Sequence, residues 1–197
     1  MGLCGTILIR KNEMDLNNKN NLICHPAAAC GSVENLVAAL KPLTDGGLHV
    51  RYELTGDLAR LRIPAPQAPG AADGLWEHSC FEAFIAADGE PGYHEFNFSP
   101  SGQWAAYAFS DYRARSAWTI SRPPLIRIIQ SPGHLLLEAV IAAADLPPNR
   151  AAKPFRLGLT AVIEANDGSR AYWALHHPEV QPDFHHRAGF ISSFTPN

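Results

Sequence analysis

Apolar and polar residues alternate one by one along much of the chain, which is the period of a half-buried β-strand. The clearest segment is 48–54, where every second residue is apolar and the residues between are charged or histidine. A Gly56-Asp57 step then predicts a turn, and Leu61 and Ile63 alternate with arginines. We therefore predict a hairpin of two strands here, followed by a Pro-rich and Gly-rich loop over 64–74.

The stretch 75–112 is the most unusual, because two aromatic and apolar runs each carry a glutamate at the centre. Residues 79–86 contain Glu82, residues 93–99 contain Glu95, and a short polar link joins the two runs. This pattern predicts a β-hairpin. A carboxylate among core-type residues needs a partner or a wet cavity, so we interpret this hairpin as the wall of a ligand site.

Further runs separated by turn signals predict strands over 103–109, 125–130, 135–142, 155–164 and 171–175. The total is about nine or ten strands without the intervening helices that a parallel sheet needs. We predict an all-β fold, a single antiparallel β-sandwich, with one short peripheral helix. That helix is expected to begin at Ser32 and to end before Pro42, because apolar residues recur between them at helical spacing.

The polar start of the chain differs from the rest. Residues 1–21 contain five asparagines and several charges, and we assign them to an N-terminal extension that is expected to be poorly ordered. Residues 22–197 are assigned to the β-sandwich domain. A chain of 197 residues is long enough for one sizeable core.

Composition and charge narrow the possible partners. The chain has 16 Lys and Arg against 19 Asp and Glu, without a basic stripe, so nucleic acid is not an expected partner. No run approaches the roughly 20 apolar residues that cross a bilayer, and the first ten residues do not resemble a signal peptide. We therefore expect a cytoplasmic protein without a membrane partner. The four cysteines fit neither a zinc knuckle nor a disulfide framework, and the oligomeric state is left open.

The glutamates suggest a sugar site. Alternate residues of a strand share a face, so Glu95 projects with Asn97, and Glu82 with Phe84. Carboxylates and amides bind sugar hydroxyls, while aromatic rings pack on C–H groups. The expected ligand-binding residues in this part of the chain are Trp76, His78, Glu82, Glu95, Asn97, Trp104, Tyr107 and Trp173. Two further strand glutamates, Glu138 and Glu164, are expected on a solvent face.

The C-terminal run YWALHHPEVQPDFHH holds four of the nine histidines. We expect His176, Asp183 and His185 to complete the ligand pocket. An alternative is that the histidines bind haem or a divalent metal, since imidazole and carboxylate groups suit both. A third hypothesis makes His185 and Asp183 the acid–base pair of a hydrolytic enzyme.

Four motifs carry a resemblance: LWEHSCFEAFI, YHEFNFSPSGQWAAYAF, YWALHHP and PDFHH. They resemble bacterial DOMON-like proteins of uncharacterised function, which are related to the family nine carbohydrate-binding modules. The resemblance runs from residue 22 to residue 190 and implies a β-sandwich that binds a carbohydrate or a haem, usually without catalysis. Carbohydrate-binding relatives grip the ligand between aromatic rings, a role that Trp76 and Trp173 would take here.

Haem-binding relatives use a methionine ligand, whereas Met1 and Met14 of this chain both lie outside the matched region. The resemblance therefore favours a non-catalytic domain that binds a small carbohydrate or related polyol, and no cofactor is expected. Haem bound by two histidines, through His176 or His185, is the alternative that remains.

Overall fold

The structure is a computed structural model that describes residues 19–28 and 31–195. The described residues form short 3₁₀ turns at Leu58–Arg60, Leu75–Glu77, Ala143–Asp145 and Arg187–Gly189. They also form thirteen strands: β1 (Lys19–Asn21), β2 (Ile23–Cys24), β3 (Val33–Pro42), β4 (Leu48–Gly56), β5 (Cys80–Ala87), β6 (Tyr93–Phe98), β7 (Trp104–Asp111), β8 (Ala114–Ser116), β9 (Leu125–Ser131), β10 (His134–Ile141), β11 (Phe155–Glu164), β12 (Arg170–Ala174) and β13 (Ser192–Phe194).

These strands build two antiparallel sheets, which confirms the predicted all-β sandwich. The first sheet has the order β1-β3-β4-β10-β9. The second has the order β2-β12-β11-β5-β6-β7-β8, and β13 pairs with the beginning of β11, next to β12. The predicted central hairpin is confirmed as β5 and β6. The strands predicted over 125–130 and 135–142 pair as β9 with β10, and those predicted over 155–164 and 171–175 pair as β11 with β12.

The main core lies between the two sheets. The apolar side of β4 packs there as predicted, with Leu48, Val50, Tyr52 and Leu54 all at 0% exposure. From the second sheet, Phe81, Ala83 and Ile85 of β5 and alternate residues of β11 close the same layer. Fully burying a Leu, Ile or Phe side chain contributes about 1.5–3 kcal/mol relative to leaving it exposed, so this layer is the main source of stability.

The second sheet is covered on its outer face as well. Every residue of β5 and of β6 is buried, and Phe84 and Ala86 of β5 point away from the main core into a second apolar cluster. That cluster contains Phe84, Tyr93, Phe109 and Phe190. The C-terminal segment 182–190 lies over this outer face, and it creates the concave surface described below.

The predicted helix after Ser32 is wrong, because residues 33–42 form β3 between β1 and β4. The pairing with β4 shifts register between Val33 and Asn35, which is the mark of a β-bulge. Val33 and Leu36 are both buried although they are three residues apart. The bulge thus gives a strand the apolar spacing that is typical of a helix.

Two further expectations differ from the structure. Leu61 forms only an isolated bridge with Ala165 instead of a strand, and β4 pairs with β3 and β10. Residues 1–18, most of the predicted extension, lie outside the described residues, but Lys19–Asn21 form β1 at the edge of the first sheet. No helix in the described part of the chain is long and apolar enough to span a membrane.

Candidate functional site

A cavity of about 370 Å³ opens on the outer face of the second sheet, below the C-terminal segment. Residues of several strands line it because antiparallel pairing brings their outward side chains into adjacent rows. The lining residues are Trp76, Glu82, Phe84, Glu95, Phe109, Arg113, Arg115, Val162, Arg170, Tyr172, Pro182, Phe184 and His185.

The floor of the cavity is a row of polar side chains in the middle of the sheet. Glu82 of β5 is flanked across the strands by Thr160 of β11 and Asn97 of β6. Glu95 lies two residues from Asn97 on the same face of β6. The two glutamates are therefore diagonal neighbours, and both are buried at 3% and 5% exposure.

One side-chain oxygen of this floor has no hydrogen-bond partner among the described residues. The Asn97 amide donates from Nδ2 to Glu95 Oε1 at 2.7 Å, and the Thr160 hydroxyl donates to Glu82 Oε2 at 3.5 Å. The other oxygen of Glu82, Oε1, is buried without a hydrogen-bond partner among the described residues. Buried polar atoms are nearly always hydrogen-bonded, so Glu82 Oε1 is the atom that a polar ligand would satisfy.

Burial controls the charge of the floor. Desolvation raises the pKa of Glu82 well above its usual value, and the nearby Glu95 raises it further. Desolvation also raises the pKa of Glu95, although Asn97 and the arginines at the rim oppose the shift. A carboxyl group that keeps its proton donates a hydrogen bond and a carboxylate accepts one, so two acids with raised pKa values can offer both functions to a ligand hydroxyl.

His185 forms one side of the cavity and is held in a fixed orientation. Its Nδ1 lies 2.8 Å from the Tyr93 hydroxyl, which accepts the backbone N–H of Arg113 at 3.1 Å. Its Nε2 is 3.8 Å from Glu95 Oε2. Burial and the neighbouring Arg113 lower the pKa of His185 to about 4, so the ring is neutral at neutral pH. The Tyr93 hydroxyl is free to donate to Nδ1, and in that tautomer the ring proton lies on Nε2 and faces Glu95.

Arginines stand at the rim on both sides. Arg113 donates to Asp183 Oδ1 at 2.8 Å and to the Tyr112 hydroxyl at 3.2 Å. The guanidinium of Arg115 lies 4.0 Å from the centre of the Tyr107 ring. Arg170 of β12 lines the opposite side, since β12 and β8 lie on opposite sides of β5 and β6 in the sheet.

Aromatic rings form the upper walls. Trp76 is 37% exposed and packs edge-on against Tyr107, with ring centroids 5.8 Å apart. Tyr107 donates a short hydrogen bond to Asp73, which fixes the ring that supports Trp76. Phe184 packs against Phe84 at a centroid distance of 6.5 Å. A ligand in the cavity would therefore meet ring surfaces above a polar floor.

The structure brings most of the predicted ligand-binding residues to this cavity. Trp76, Glu82, Glu95 and His185 line it directly. Other predicted residues support the lining side chains through the contacts already described, and these are Asn97, Tyr107 and Asp183.

Four predicted residues lie elsewhere. Trp173 faces the core between the sheets, because on β12 its neighbour Tyr172 occupies the outward position. Trp104 is buried where β7 bridges to Ala71, and His176 is exposed outside the cavity lining. The His78 ring bonds to Glu164 Oε2 at 2.8 Å instead of facing the cavity.

The predictions for the other two strand glutamates, Glu138 and Glu164, have different outcomes. Glu138 lies on the outward face of the first sheet, where Arg127 donates to it at 3.2 Å, as predicted. The prediction that Glu164 faces solvent is wrong, because the residue is only 3% exposed. It accepts hydrogen bonds from Arg62 at 2.9 Å and from His78, so it holds the chain on both sides of the Pro-rich loop.

Several residues of the cavity were not predicted. Arg113 and Arg115 stand at alternate positions after β7. This alternation extends the row of outward side chains that contains Tyr107 and Phe109 towards β8, and it is the sequence signal that could have identified the two arginines. Phe184 stands between the two residues, Asp183 and His185, that the histidine-rich segment did suggest. Tyr172 was passed over in favour of the adjacent Trp173.

The predicted acid–base pair has a different geometry. Asp183 accepts the backbone N–H of His185 at 3.1 Å, and its other contacts go to Arg113 and Tyr112. The His185 ring is bonded to Tyr93 instead. Within the described residues, no group of three or more His, Cys, Asp or Glu side chains is placed to hold a metal ion. Haem or metal binding through the histidines stays a prediction, tested by absorbance and metal content of purified protein.

Comparisons with known proteins identify the fold. No protein-family model and no curated protein matches the sequence. The crystal structure of a candidate carbohydrate-binding protein from Bacteroides uniformis ATCC 8492 matches with a TM-score of 0.66 and 14% identity, covering 88% of this chain and 84% of that one.

A family 9 carbohydrate-binding module from Caldicellulosiruptor kristjanssonii also matches, in two structures. Its complex with glucose has a TM-score of 0.56 at 13% identity and covers 97% of this chain and 91% of that one. Its complex with cellotriose has a TM-score of 0.54 at 14% identity and covers 97% and 89%. The chain therefore has the fold of a family 9 module.

Proposed function

We propose that this protein binds a small carbohydrate or related polyol in the cavity on the outer face of the second sheet, without catalysis. One observation carries the proposal. The buried floor presents Glu82 Oε1 without a partner among the described residues, beside the Glu95–Asn97 pair and below exposed aromatic rings. Unpaired polar atoms under apolar walls fit a ligand that has both hydroxyl and C–H surfaces.

A sugar has those two kinds of surface. Its hydroxyls donate and accept, which suits a floor that holds carboxyl and amide groups. Its C–H faces pack on rings such as Trp76, Tyr172 and Phe184. Small-molecule sites are typically concave and combine apolar walls with a few fixed polar groups. This cavity is concave and has aromatic walls, and charged or histidine side chains supply nearly half of its lining residues.

The comparisons support the same ligand class. A module of the same fold is known in complex with glucose and with cellotriose. The existing partners of His185 and Asp183 favour binding over hydrolysis, because Tyr93 already holds the imidazole and Arg113 the carboxylate.

The test is titration of the purified protein with a panel of neutral monosaccharides, disaccharides and trisaccharides, followed by calorimetry or NMR. Glu82→Gln keeps the shape of the side chain but changes its donors and acceptors, and Trp76→Ala removes a ring wall. We expect each variant to weaken binding of the best sugar about tenfold or more, since a lost hydrogen bond or ring contact in a desolvated site costs on that order.

Glu138→Gln is the matched control, because it makes the same change on a strand of the first sheet, away from the cavity. It should bind as the unmodified protein does. Binding that survives both Glu82→Gln and Trp76→Ala would place the site elsewhere. The absence of binding by the neutral sugars and by their charged derivatives alike would remove the proposal.

A further inference from the structure

We infer that the saccharide bound in this cavity carries an anionic group, either a carboxylate or a sulfate. The inference rests on the proposed function and narrows its ligand class. It is drawn from the guanidinium groups of Arg113, Arg115 and Arg170, which line the rim although the chain as a whole has a net charge of −3.

Arg170 is the most available of the three. It is exposed on β12 and forms no ion pair within 4 Å in the described part of the chain. Its cross-strand neighbour on β11 is Glu164, whose carboxylate already accepts from Arg62 and from His78. The Arg170 guanidinium therefore keeps its hydrogen-bond donors for a ligand.

Arg115 stands on the opposite side of the cavity and is positioned by stacking. Its guanidinium lies over the Tyr107 ring at 4.0 Å, a cation–π contact that orients the plane of the group without using its N–H donors. Asp73 and Glu95 both interact electrostatically with Arg115, and the Asp73 carboxylate accepts the Tyr107 hydroxyl. Arg115 is thus held in place while its donors stay free of a carboxylate within ion-pair distance among the described residues.

The acidic groups around the cavity do not cancel the three cations. Asp183 is bonded to Arg113, Asp73 lies near Arg115, and Glu164, opposite Arg170, is bonded to Arg62 and His78. The remaining acids, Glu82 and Glu95, are buried in the floor, and desolvation raises the pKa of both. Arg115 and Arg170, which have no ion pair among the described residues, therefore present charged donors to an anion at the rim.

Guanidinium groups bind carboxylate and sulfate oxygens through paired, charge-assisted N–H donors, which are stronger than the bonds they form with hydroxyls. A neutral sugar would leave the donors of Arg170 in water. A sugar acid or sugar sulfate would place its anionic substituent at the rim while its ring packs against Trp76 or Tyr172 above the floor.

The experiment compares matched sugars in the gluco, galacto and manno series, each as the neutral sugar, the uronate and the 6-sulfate, at neutral pH and low ionic strength. In at least one series we expect a charged form to bind about tenfold more tightly than the neutral form, because charge-assisted bonds are about twice as strong as neutral ones. The uronate and sulfate measurements then show which anionic group is preferred.

Arg170→Gln and Arg115→Gln should each lower the affinity for the charged form severalfold more than the affinity for the neutral form. Arg127→Gln is the control, since it removes the same charge from the first sheet. Neutral sugars that bind as tightly as their charged forms would overturn the inference and leave the proposed function in place. No binding of any sugar in the three series or in the neutral panel would overturn both.

Discussion

Glu82 contributes to the fold with its backbone and to the candidate site with its side chain. Its backbone carbonyl accepts the Tyr52 hydroxyl at 2.6 Å, a contact that crosses the core between the two sheets. Its side chain points the other way into the cavity, where one oxygen lacks a partner among the described residues. A substitution that keeps the size of this side chain therefore changes the site more than the core.

The raised pKa of Glu82 predicts a pH dependence of stability. The unfolded chain loses the proton near the ordinary value of 4.5, whereas the folded protein, in which desolvation opposes ionisation, keeps it to higher pH. The folded state binds more protons in this window, so stability falls as pH rises from 4.5 towards the folded pKa.

In Glu82→Gln we expect a smaller decrease of the free energy of unfolding over the same pH range, measured by urea unfolding at several pH values. Equal slopes for the two proteins would show that Glu82 ionises with its usual pKa.

Glu164 and Glu138 give a second test at the scale of single residues, because both are strand glutamates bonded to arginine and differ in burial. The Glu164 side chain is 4% exposed and holds Arg62 and His78, whereas the Glu138 side chain is 17% exposed and its partner Arg127 is 62% exposed. Glu164→Ala should lower the free energy of unfolding by about 1–2 kcal/mol. Glu138→Ala should change it by about 0.5 kcal/mol or less.

Glu164→Ala should also weaken sugar binding, since the His78 contact holds the turn that carries Trp76. Chemical denaturation and sugar titration of both variants measure these two effects. Equal losses of stability in the two variants would contradict the difference in burial.

At the scale of elements, the C-terminal segment depends on one glycine. A Cβ atom on Gly158 of β11 would lie 3.0 Å from Cδ1 and 3.3 Å from Cε1 of the Phe190 ring. Phe190 in turn packs on Phe84 and Tyr93, so the absence of a side chain at 158 lets the segment rest directly on the sheet.

Gly158→Val should displace Phe190 and destabilise the protein by about 1–3 kcal/mol, the usual cost of overpacking. It should also increase proteolytic cleavage within 176–190 and weaken sugar binding. Gly70→Val is the control, because a Cβ there meets only Ala68 O at 4.0 Å. Normal protease resistance in Gly158→Val would mean that Phe190 moves aside without disturbing the segment.

The elements also show what the sequence can and cannot predict. The hairpin of β5 and β6 was predictable because its two runs and its turn are local features. The helix expected after Ser32 failed because a bulge near Val33 imitates helical spacing, and the strand is fixed by its partners β1 and β4. Pairing between distant segments decided the structure there, and a local pattern does not contain it.

The candidate site could also be predicted only where local features of the sequence identify its residues. Glu82 and Glu95 were identifiable because carboxylates stand out among aromatic residues. We predicted Trp173 for the cavity, where the structure places Tyr172. Adjacent residues of a strand point to opposite faces, so an error of one residue exchanges the two faces. The alternation was visible in the sequence, but the side that faces the cavity is set by the pairing of β12 with β11.

For the whole molecule, the stabilising core and the candidate site lie on opposite faces of the second sheet. The inner face packs on the first sheet, and the outer face holds the cavity. Because β5, β6 and β11 supply residues to both faces, a ligand that binds only the folded state should raise the unfolding temperature as its concentration increases.

The buried acids of the floor have a calorimetric consequence. A ligand hydroxyl that contacts Glu82 and Glu95 changes their solvation and therefore their pKa values. The number of protons bound to the two carboxyl groups then changes on binding, and the buffer supplies or takes up the difference. The heat of binding at a fixed pH should therefore differ between phosphate and Tris, and it should differ less in Glu82→Gln. Equal heats in both buffers would mean that no proton is exchanged. A difference would show that sugar binding and the exchange of protons at the cavity are linked.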